Sequence, residues 1–581
     1  MLNNQINQFF FASNSQLTNK RSLFWLTFAL TFAAIYGWLT LQKGFNGEWV
    51  VQDDARQHVF WMLRFIDPQL FPNDLIADYF QSVAPSGYSN LYRFAAALGI
   101  NPLIFNKLLP PILSIIVTFY SFFLCQQIFP IPFGCFVFTL LLNQTLWMKD
   151  DLVSATPRAF VYPFLLAFLY YLAKRSLFPC AITIILLGLF YPQAIFLVAG
   201  MLIFQLIKWR GIQPYLTRNF QDYYVSLVGL IVAFAVMLPY ALDVSEYGPT
   251  ITVETAKQLP DFASDGRSSF FQTNFWDYWF SGGRSGMFPA SMFTPVTLIF
   301  GLFLPILTLF PRQFPLSNKI TTKINLLPHL LIVSLFMFFA AHVLLFKLHL
   351  PSRYTGHSFR IIIALAAAVA ITLILDVLIR QIQTTHDHNT IIGKLIAVSL
   401  TVAIAIALLF YPSFVKNFPL TKYKTGDYPT LYQFLLQQPK DIMIATLALE
   451  GDNLPTFAQR SVLVSKEYAI PYHLGYYNLF RQRVIDLIQA QYSNNPEEVK
   501  KFIRKYGVDF WLLETNSFTP EYLENNKWIT QHQPITQQAI NSLKQGNMPL
   551  LKSWQNDCVA WQDQQYILIN TSCLLNNYLK N

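Results

Sequence analysis

The sequence carries little charge. Only 12% of its 581 residues are Asp, Glu, Lys or Arg, about half the fraction of a soluble globular protein. By contrast, 54% are hydrophobic, and the 54 Phe and 29 Tyr residues give the aromatic content of a chain that sits in lipid and at its interface. Several apolar runs reach the ~20 residues that cross the hydrocarbon core of a bilayer. We therefore predict a polytopic membrane protein.

The sequence also lacks the motifs of several large functional classes. It has no GxxxxGKS/T loop for nucleotide phosphates, and neither HExxH nor CxxC spacing for zinc. No run of basic residues resembles a nucleic-acid-binding patch, and Lys and Arg on cytoplasmic loops explain the net charge of +10. An ATP-driven transporter and a nucleic-acid-binding protein are both disfavoured.

Cysteine is scarce, with five residues in the whole chain. Cys125, Cys135 and Cys180 lie in apolar runs and are interpreted as small core residues. Cys558 and Cys573 lie in the polar C-terminal part. They either form a disulfide, if that part lies outside the cytoplasm, or remain two thiols.

The apolar runs divide the chain into three parts. A cytoplasmic N-terminus, residues 1–21, precedes a helical membrane bundle of about 11 spans, residues 22–411, and a soluble α/β domain, residues 412–581. Basic residues at the ends of the runs, counted by the positive-inside rule, place four loops on the external side together with the α/β domain. These loops cover residues 42–101, 149–158, 243–291 and 347–360.

One segment, residues 176–207, decides which side all later loops face. Basic residues flank both of its ends, and Pro192 interrupts its centre. One straight helix would put the ends on opposite faces, whereas two short helices meeting at Pro192 would return both ends to the cytoplasm. We favour two short helices. If the segment crosses once, the sides of all later loops invert.

The apolar runs become shorter from residue 412 onward. Residues 441–446 and 508–513 have the pattern of buried strands, and residues 496–504 that of an amphipathic helix. Residues 561–569 have the pattern of a closing hairpin. About 170 residues of this kind are expected to form one domain.

Adjacent carboxylates occur twice on the external side. The two pairs are Asp53 with Asp54 and Asp150 with Asp151. Carboxylates at the mouth of a bundle can act as a general base, bind a divalent cation, or both. In a solvated loop, an Asp at such a place can instead cap the next helix. Because each pair follows an outward span, we expect them to converge on one cavity.

A third external loop, residues 347–360, is strongly basic, which runs against the positive-inside trend. Its basic residues are Lys347, His349, Arg353, His357 and Arg360. An anionic ligand would explain them. The paired N–H groups of a guanidinium match the oxygens of a phosphate, and its positive charge stabilises a departing phosphate. The alternative is that these side chains reach outward to phospholipid head groups.

This arrangement resembles the GT-C superfamily of integral membrane glycosyltransferases. That superfamily includes oligosaccharyltransferase catalytic subunits, protein O-mannosyltransferases and lipid A aminoarabinose transferases. The resemblance covers the whole chain in architecture, but in motif only residues 52–58, 149–158 and 351–360. The C-terminal domain has no WWD-type signature.

The resemblance implies an inverting transfer of sugar from a polyprenyl-phosphate carrier to a glycan, lipid or protein acceptor on the external face of the plasma (inner) membrane. Asp53 or Asp54 would deprotonate the acceptor, and Asp150 or Asp151 would assist. If a divalent cation such as Mg²⁺ or Mn²⁺ takes part, Asp54 and Asp151 would hold it. The candidate substrate- and phosphate-binding residues are Arg56, His58, Arg158, Arg353, Tyr354, His357 and Arg360.

Two other functions are compatible with the sequence. A transporter or flippase of lipid-linked sugars predicts charged residues in the middle of the bilayer, and the break at Pro192 favours it. A non-catalytic scaffold with a GT-C-like fold predicts that the external carboxylates are dispensable. The grouping of carboxylates on one face favours the enzyme.

Overall fold

The computed structural model describes residues 8–13, 20–210, 213–242, 245–383 and 388–577. Parts of the predicted N-terminus, of the loop 243–291 and of the connection after residue 383 therefore lie outside the described residues. Within the described ranges the chain is mostly helical, and six helices are long and apolar enough to cross a membrane.

Each of the eleven predicted spans contains a helix. These are α1 (Lys20–Gly44), α2 (Pro102–Ile128), α3 (Pro132–Leu146), α4 (Val161–Lys174), α5 (Leu177–Phe190), α6 (Ala194–Phe204), α7 (Phe220–Leu242), α8 (Leu304–Thr308), α9 (Leu326–Val343), α10 (Ser358–Gln383) and α11 (His388–Leu409). The count of eleven spans is not confirmed, because α3–α6 and α8 are shorter than the ~18 residues a span needs.

Two of the shorter segments show how proline shapes the bundle. The segment around Pro192 consists of two short helices as predicted, and α5 and α6 pack against each other. The apolar stretch 292–310 is not one α-helix. A 3₁₀ helix, Val296–Phe303, leads into α8, whose first turn contains Pro305. Proline has no N–H to donate, so the first turn of a helix accommodates it most readily, although Pro110 and Pro111 lie inside α2 and Pro239 lies inside α7.

Shorter helices fill the loops between the long ones. They include Ala55–His58, Phe60–Phe65, Leu75–Ser82, Ser86–Ala97, Asp150–Val153, Pro157–Phe160, Val253–Gln258, Pro260–Phe262, Asp277–Ser281, Pro315–Lys319, Thr322–Asn325 and Ser352–Gly356. Asp74 caps the third of these, because its carboxylate accepts hydrogen bonds from the backbone N–H groups of Ile76 and Ala77 at 2.8 and 3.1 Å. The loops are therefore structured.

The C-terminal domain is built on a five-stranded mixed sheet in the order β6-β5-β7-β9-β8. These strands are β5 (Met443–Thr446), β6 (Ser461–Val462), β7 (Val508–Glu514), β8 (Val559–Gln562) and β9 (Tyr566–Asn570). Pairs β5–β6 and β5–β7 are parallel, and the others are antiparallel. Two predicted strands and the closing hairpin β8–β9 are confirmed.

Helices make up most of the rest of the C-terminal part. They are Tyr411–Phe414, Pro429–Leu436, Leu449–Asp452, Leu454–Phe457, Lys466–Tyr468, Leu474–Gln491, Pro496–Tyr506, Pro520–Asn525, Lys527–Thr530, Ile535–Lys544, Leu550–Trp554 and Thr571–Asn577. The predicted helix 496–504 is thus present. Cys558 and Cys573 form a disulfide, and Cys125, Cys135 and Cys180 are buried free thiols.

Two small antiparallel pairs complete the secondary structure. One joins β2 (Ile207–Arg210) to β3 (Gln213–Leu216) after α6. The other joins β1 (Val50–Gln52), just after α1, to β4 (Tyr423–Thr425) at the start of the C-terminal domain. This second pair fixes the loop that carries Asp53 and Asp54 against the C-terminal domain.

Candidate active site

A cavity of about 420 Å³ lies between the C-terminal domain and the loops that follow α1, α3, α7 and α9. Its polar lining includes Asp54, Gln57, His58, Arg158, Gln193, Arg267, Arg284, His349, Arg353, Tyr472 and His473. Parts of the chain up to about 400 residues apart contribute to this one site.

The first acidic pair follows strand β1, and its two members have different surroundings. Asp53 turns away from the cavity and pairs with Arg56 of the next helical turn. Asp54 lines the cavity and pairs with Arg158. The Gln52 side chain fixes the turn, because its Oε1 accepts a 2.8 Å hydrogen bond from the Asp54 backbone N–H. The pair therefore offers one carboxylate, that of Asp54, to a ligand.

Arg158 connects the two acidic pairs. Its guanidinium contacts Asp54, and its Nη2 and Nη1 lie 3.2 Å from Asp150 Oδ2 and 3.5 Å from Asp151 Oδ1. Burial would lower the pKa of Arg158, but the three carboxylates outweigh it and raise that pKa. The predicted convergence of the two pairs thus takes place around the partly exposed guanidinium of Arg158.

Further cations surround the second acidic pair. Burial would raise the pKa of Asp151, but Arg158, Lys149 and Arg360 hold it far below its usual range. The Lys422 ammonium lies 2.9 Å from Asp150 Oδ2. Because burial lowers the pKa of Lys149 to about 8, most of its amine is still charged at neutral pH.

The opposite wall of the cavity is cationic. Arg267, Arg284 and Arg353 all line it. Arg284 Nε donates a 3.2 Å hydrogen bond to the Tyr472 hydroxyl, and Arg267 pairs with Glu467 at 2.8 Å. These contacts hold two of the three side chains in place. Among the described residues that line the cavity, Asp54 is the one carboxylate, and it faces several cationic side chains.

Two histidines of the lining are neutral at pH 7. Burial, assisted by the nearby Arg158 and Arg267 charges and opposed by Asp54, lowers the pKa of His58 to about 4. Burial also lowers the pKa of His349 to about 3. We conclude that these rings act as hydrogen-bonding groups rather than as cations, and that the arginines supply the positive charge.

Four predicted phosphate-binding residues do not line the cavity. Arg56 donates a 3.0 Å hydrogen bond to Asn453 Oδ1 in addition to its pair with Asp53. The Tyr354 hydroxyl donates to the Leu348 carbonyl at 2.9 Å. Both side chains are buried. Their polar groups contact other groups of the protein, and their assignment to a phosphate stays a prediction.

His357 and Arg360 are also buried. His357 Nδ1 lies 3.3 Å from the Arg353 carbonyl oxygen. Arg360 donates to the Ala290 and Gly356 carbonyl oxygens at 2.7 and 2.9 Å. Arg360 belongs to the first turn of α10 rather than to a loop, and it lies 3.7 Å from the Asp151 carboxylate.

Several lining residues were not predicted. They are Gln57, Gln193, Arg267, Arg284, Tyr472 and His473. Arg267 and Arg284 lie in the loop 243–291, which is predicted to be external, so they are exceptions to the positive-inside trend just as residues 347–360 are. The positive-inside rule could therefore have identified Arg267 and Arg284 as candidates. Tyr472 and His473 have no comparable signal, because they reach the site only through the folding of the C-terminal domain.

An apolar groove of about 600 Å³ adjoins the cavity. Its apolar lining includes Pro192, Phe196, Phe234, Met237, Leu238 and Ala241. The groove runs between α6 and α7 and shares Gln193, His349 and Tyr472 with the cavity. A ligand with a charged head and a long apolar tail fits this combination.

The predicted divalent cation does not fit the side chains present. No group of three or more His, Cys, Asp or Glu side chains is placed to hold a metal ion in the part of the chain that the structure describes. Asp54 and Asp151, predicted to share the cation, both face the guanidinium of Arg158.

No protein-family model and no curated protein matches this sequence. Solved structures do match. Oligosaccharyltransferase AglB from Archaeoglobus fulgidus, in complex with an inhibitory peptide and a dolichol-phosphate, aligns at a TM-score of 0.52 and 12% identity over 92% of this chain and 73% of that chain. The same organism's oligosaccharyltransferase tethered to an acceptor peptide aligns at 0.51 and 12%, over 90% and 72%.

A third similar structure is ArnT from Cupriavidus metallidurans bound to undecaprenyl phosphate. It aligns over 94% of this chain and 97% of that chain, at 10% identity and a TM-score of 0.43. The two oligosaccharyltransferase structures establish the fold. The chain is an integral membrane protein that shares the fold of these two oligosaccharyltransferase structures, and its C-terminal region contains β-strands.

Proposed function

We propose that this protein is a membrane glycosyltransferase that moves a sugar from a polyprenyl-phosphate carrier to an acceptor in the cavity beneath the C-terminal domain. One observation carries the proposal: a cavity with a single available carboxylate and a cationic wall opens into an apolar groove between two apolar helices. A polyprenyl chain needs such a groove, and its phosphate needs the cations beside it.

The arrangement supplies the groups that an inverting transfer requires. Asp54 accepts the proton of the acceptor hydroxyl or amide while the acceptor atom attacks the anomeric carbon. The bond between that carbon and the carrier phosphate breaks on the opposite face. Arg284 and Arg353 neutralise the charge that develops on the departing phosphate. Polyprenyl phosphate and the glycosylated acceptor are the products.

One of the similar oligosaccharyltransferase structures contains dolichol-phosphate, which supports the same donor class for this chain. The acceptor of the oligosaccharyltransferase is a peptide. For this chain the size of the cavity, about 420 Å³, suits a sugar and one acceptor group, and the chemistry of the lining leaves glycan, lipid and protein acceptors open.

We place the cavity and the C-terminal domain on the external, periplasmic face of the plasma membrane. The disulfide between Cys558 and Cys573 supports this side, because disulfides persist in oxidising compartments. The contacts between β1 and β4, and between Lys422 and Asp150, put the acidic loops on the same side as that domain.

Movement of an intact lipid-linked sugar across the membrane is the second candidate. The observation that favours it is the break between α5 and α6, whose residues Pro192 and Gln193 line the apolar groove. In both functions the protein binds the carrier, but only the enzyme cleaves it.

Reconstitution distinguishes the two. The purified protein is placed in liposomes with lipid-linked sugars and soluble acceptor fractions extracted from the host envelope, and free polyprenyl phosphate is measured by mass spectrometry. A glycosyltransferase releases polyprenyl phosphate in proportion to glycosylated acceptor. Translocation of the lipid-linked sugar without such release would overturn the proposal.

A further inference from the structure

The acidic pairs meet at a side chain with a permanent positive charge. Arg158 belongs to the 3₁₀ helix Pro157–Phe160, which follows directly on the second acidic pair. Its guanidinium contacts Asp54 and lies 3.2 and 3.5 Å from Asp150 and Asp151. Three carboxylates from two loops therefore share one cation that the chain itself provides.

Oxygen ligands from several carboxylates are the usual environment of Mg²⁺, Mn²⁺ or Ca²⁺ in proteins. Here the guanidinium of Arg158 occupies the position next to the three carboxylates. The Arg158 side chain is 18% exposed, and its planar fork delivers its donors in a fixed geometry that an ammonium cannot reproduce. Lys422 and Arg360 add charge from outside, at 2.9 Å from Asp150 and 3.7 Å from Asp151. A divalent cation could bind only after displacing the guanidinium.

We propose that Arg158 is the internal cation of this site: it takes the place of a divalent metal ion, positions the Asp54 carboxylate, and makes transfer independent of added metal. The positioning of the Asp54 carboxylate and the independence from added metal rest on the proposed function. The replacement of a divalent metal ion concerns only what the three carboxylates bind, so it can be tested without a substrate.

Removal of the guanidinium should convert the cluster into a metal site. The Arg158→Ala variant leaves Asp54, Asp150 and Asp151 facing a space that a hydrated divalent cation can enter. Arg175→Ala is the matched control, because Arg175 pairs with the single carboxylate of Asp222 elsewhere in the bundle. One carboxylate does not make a comparable site.

The probe is Mn²⁺, followed by electron paramagnetic resonance during titration of the purified full-length proteins in detergent. We expect about one Mn²⁺ bound per chain in Arg158→Ala, and none in the wild type or in Arg175→Ala at the same concentrations. Binding of Mn²⁺ by the wild type at Asp54, abolished by Asp54→Asn, would overturn the proposal, as would a folded Arg158→Ala variant that binds none.

Arg158→Lys serves if the alanine variant does not fold. The lysine keeps the charge but cannot contact three carboxylates, so the Arg158→Lys variant should bind Mn²⁺ more strongly than the wild type. Equal binding by the two proteins would contradict the assignment of Arg158. Thermal unfolding gives a second reading: the wild-type midpoint should not change on addition of EDTA, and a chelator-dependent fall of that midpoint would overturn the proposal.

Activity measurements test whether Arg158 positions Asp54 and whether transfer is independent of added metal. Transfer by the wild type should be unchanged in EDTA, and Arg158→Ala should lose about 100-fold or more, with partial recovery in Mn²⁺. Loss of wild-type transfer in EDTA would contradict metal independence. If the Mn²⁺ titrations come out as expected and no preparation transfers sugar, the proposed function fails while Arg158 remains the internal cation of the cluster.

Discussion

Arg267 Nη2 lies 2.8 Å from Glu467 Oε1, and this pair joins the wall of the cavity to the C-terminal domain. The same carboxylate accepts a 2.6 Å hydrogen bond from the Gln57 side chain and lies 3.7 Å from Arg56. Glu467 thus ties together the first loop, the loop after α7 and the C-terminal domain. It does this from a largely buried position, with its side chain 15% exposed.

The raised pKa of Glu467 predicts that the stability of the protein depends on pH. Burial raises the pKa of Glu467 to about 7, although Arg267 and Arg56 oppose the rise. Between pH ~4.5 and 7 the unfolded chain therefore holds fewer protons at this site than the folded protein, so this group's contribution to stability falls as the pH rises. Glu467→Gln cannot ionise and should remove that contribution.

The measurement is the midpoint of thermal unfolding in detergent from pH 5 to pH 7.5, for the wild type, Glu467→Gln and the control Glu497→Gln. Glu497 is exposed. The wild type should lose stability relative to Glu467→Gln across this window, and Glu497→Gln should run parallel to the wild type. Parallel curves for all three proteins would refute the role of Glu467.

Arg353 should determine affinity for the carrier phosphate. Loss of a charge-assisted hydrogen bond costs about 1.5–3 kcal/mol, so Arg353→Ala should bind undecaprenyl phosphate about 10- to 100-fold more weakly. Native mass spectrometry of the detergent-solubilised protein gives the affinity. Arg380→Ala, at the other end of α10 and paired with Asp376, should bind like the wild type. An unchanged affinity in Arg353→Ala would remove this residue from the phosphate site.

The apolar groove should discriminate by the length of the lipid. Ala241 lines it near the end of α7, and Ala241→Trp should narrow it. We expect use of an undecaprenyl-linked donor to fall about tenfold, an effect of roughly 1.4 kcal/mol, with little change for a short-chain analogue. Leu227→Trp, on an exposed position of the same helix, is the control. An equal loss with both donors would mean that the groove does not hold the lipid tail.

The side of the C-terminal domain can be determined by labelling. After mild reduction of intact cells, a membrane-impermeant maleimide should modify Cys573, which is partly exposed and which the disulfide with Cys558 protects before reduction. Cys125, Cys135 and Cys180 are buried and should not react. Lysed cells provide the control. Labelling only after lysis would put the domain, and with it the cavity, in the cytoplasm.

Local patterns in the sequence predict much of this fold. The apolar runs located every helix from α1 to α11, and alternating or short apolar runs located β5, β7 and the β8–β9 hairpin. These elements depend on residues close together in the chain. The pairing of β1 with β4 was missed, because three-residue strands separated by about 370 residues leave no local signal.

The site was predictable in its composition but less so in its geometry. The sequence indicates that the acidic pairs face one side, yet Asp53 and Asp54 are equivalent until their partners, Arg56 and Arg158, are known. Arg360 carries the same charge as Arg353 in the same basic stretch. The two arginines differ because Arg360 lies in the first turn of α10, where it is buried. Arg353 lies before that helix and lines the cavity.

The proposed function requires Asp54 to act as the base of a sugar-transfer reaction. The most direct measurement is the rate of polyprenyl phosphate release in the reconstituted system for the wild type, Asp54→Asn, Asp53→Asn and Asp78→Asn. Asp78 is a matched control, because it lies in the same loop region and pairs with Arg64 away from the cavity. Asp54→Asn should lower the rate by about 10²- to 10⁴-fold, the usual contribution of a general base.

Asp53→Asn and Asp78→Asn should retain most of the activity, and all four proteins should bind undecaprenyl phosphate equally. A rate for Asp54→Asn close to that of the wild type, in a protein that still binds the carrier, would contradict the claim.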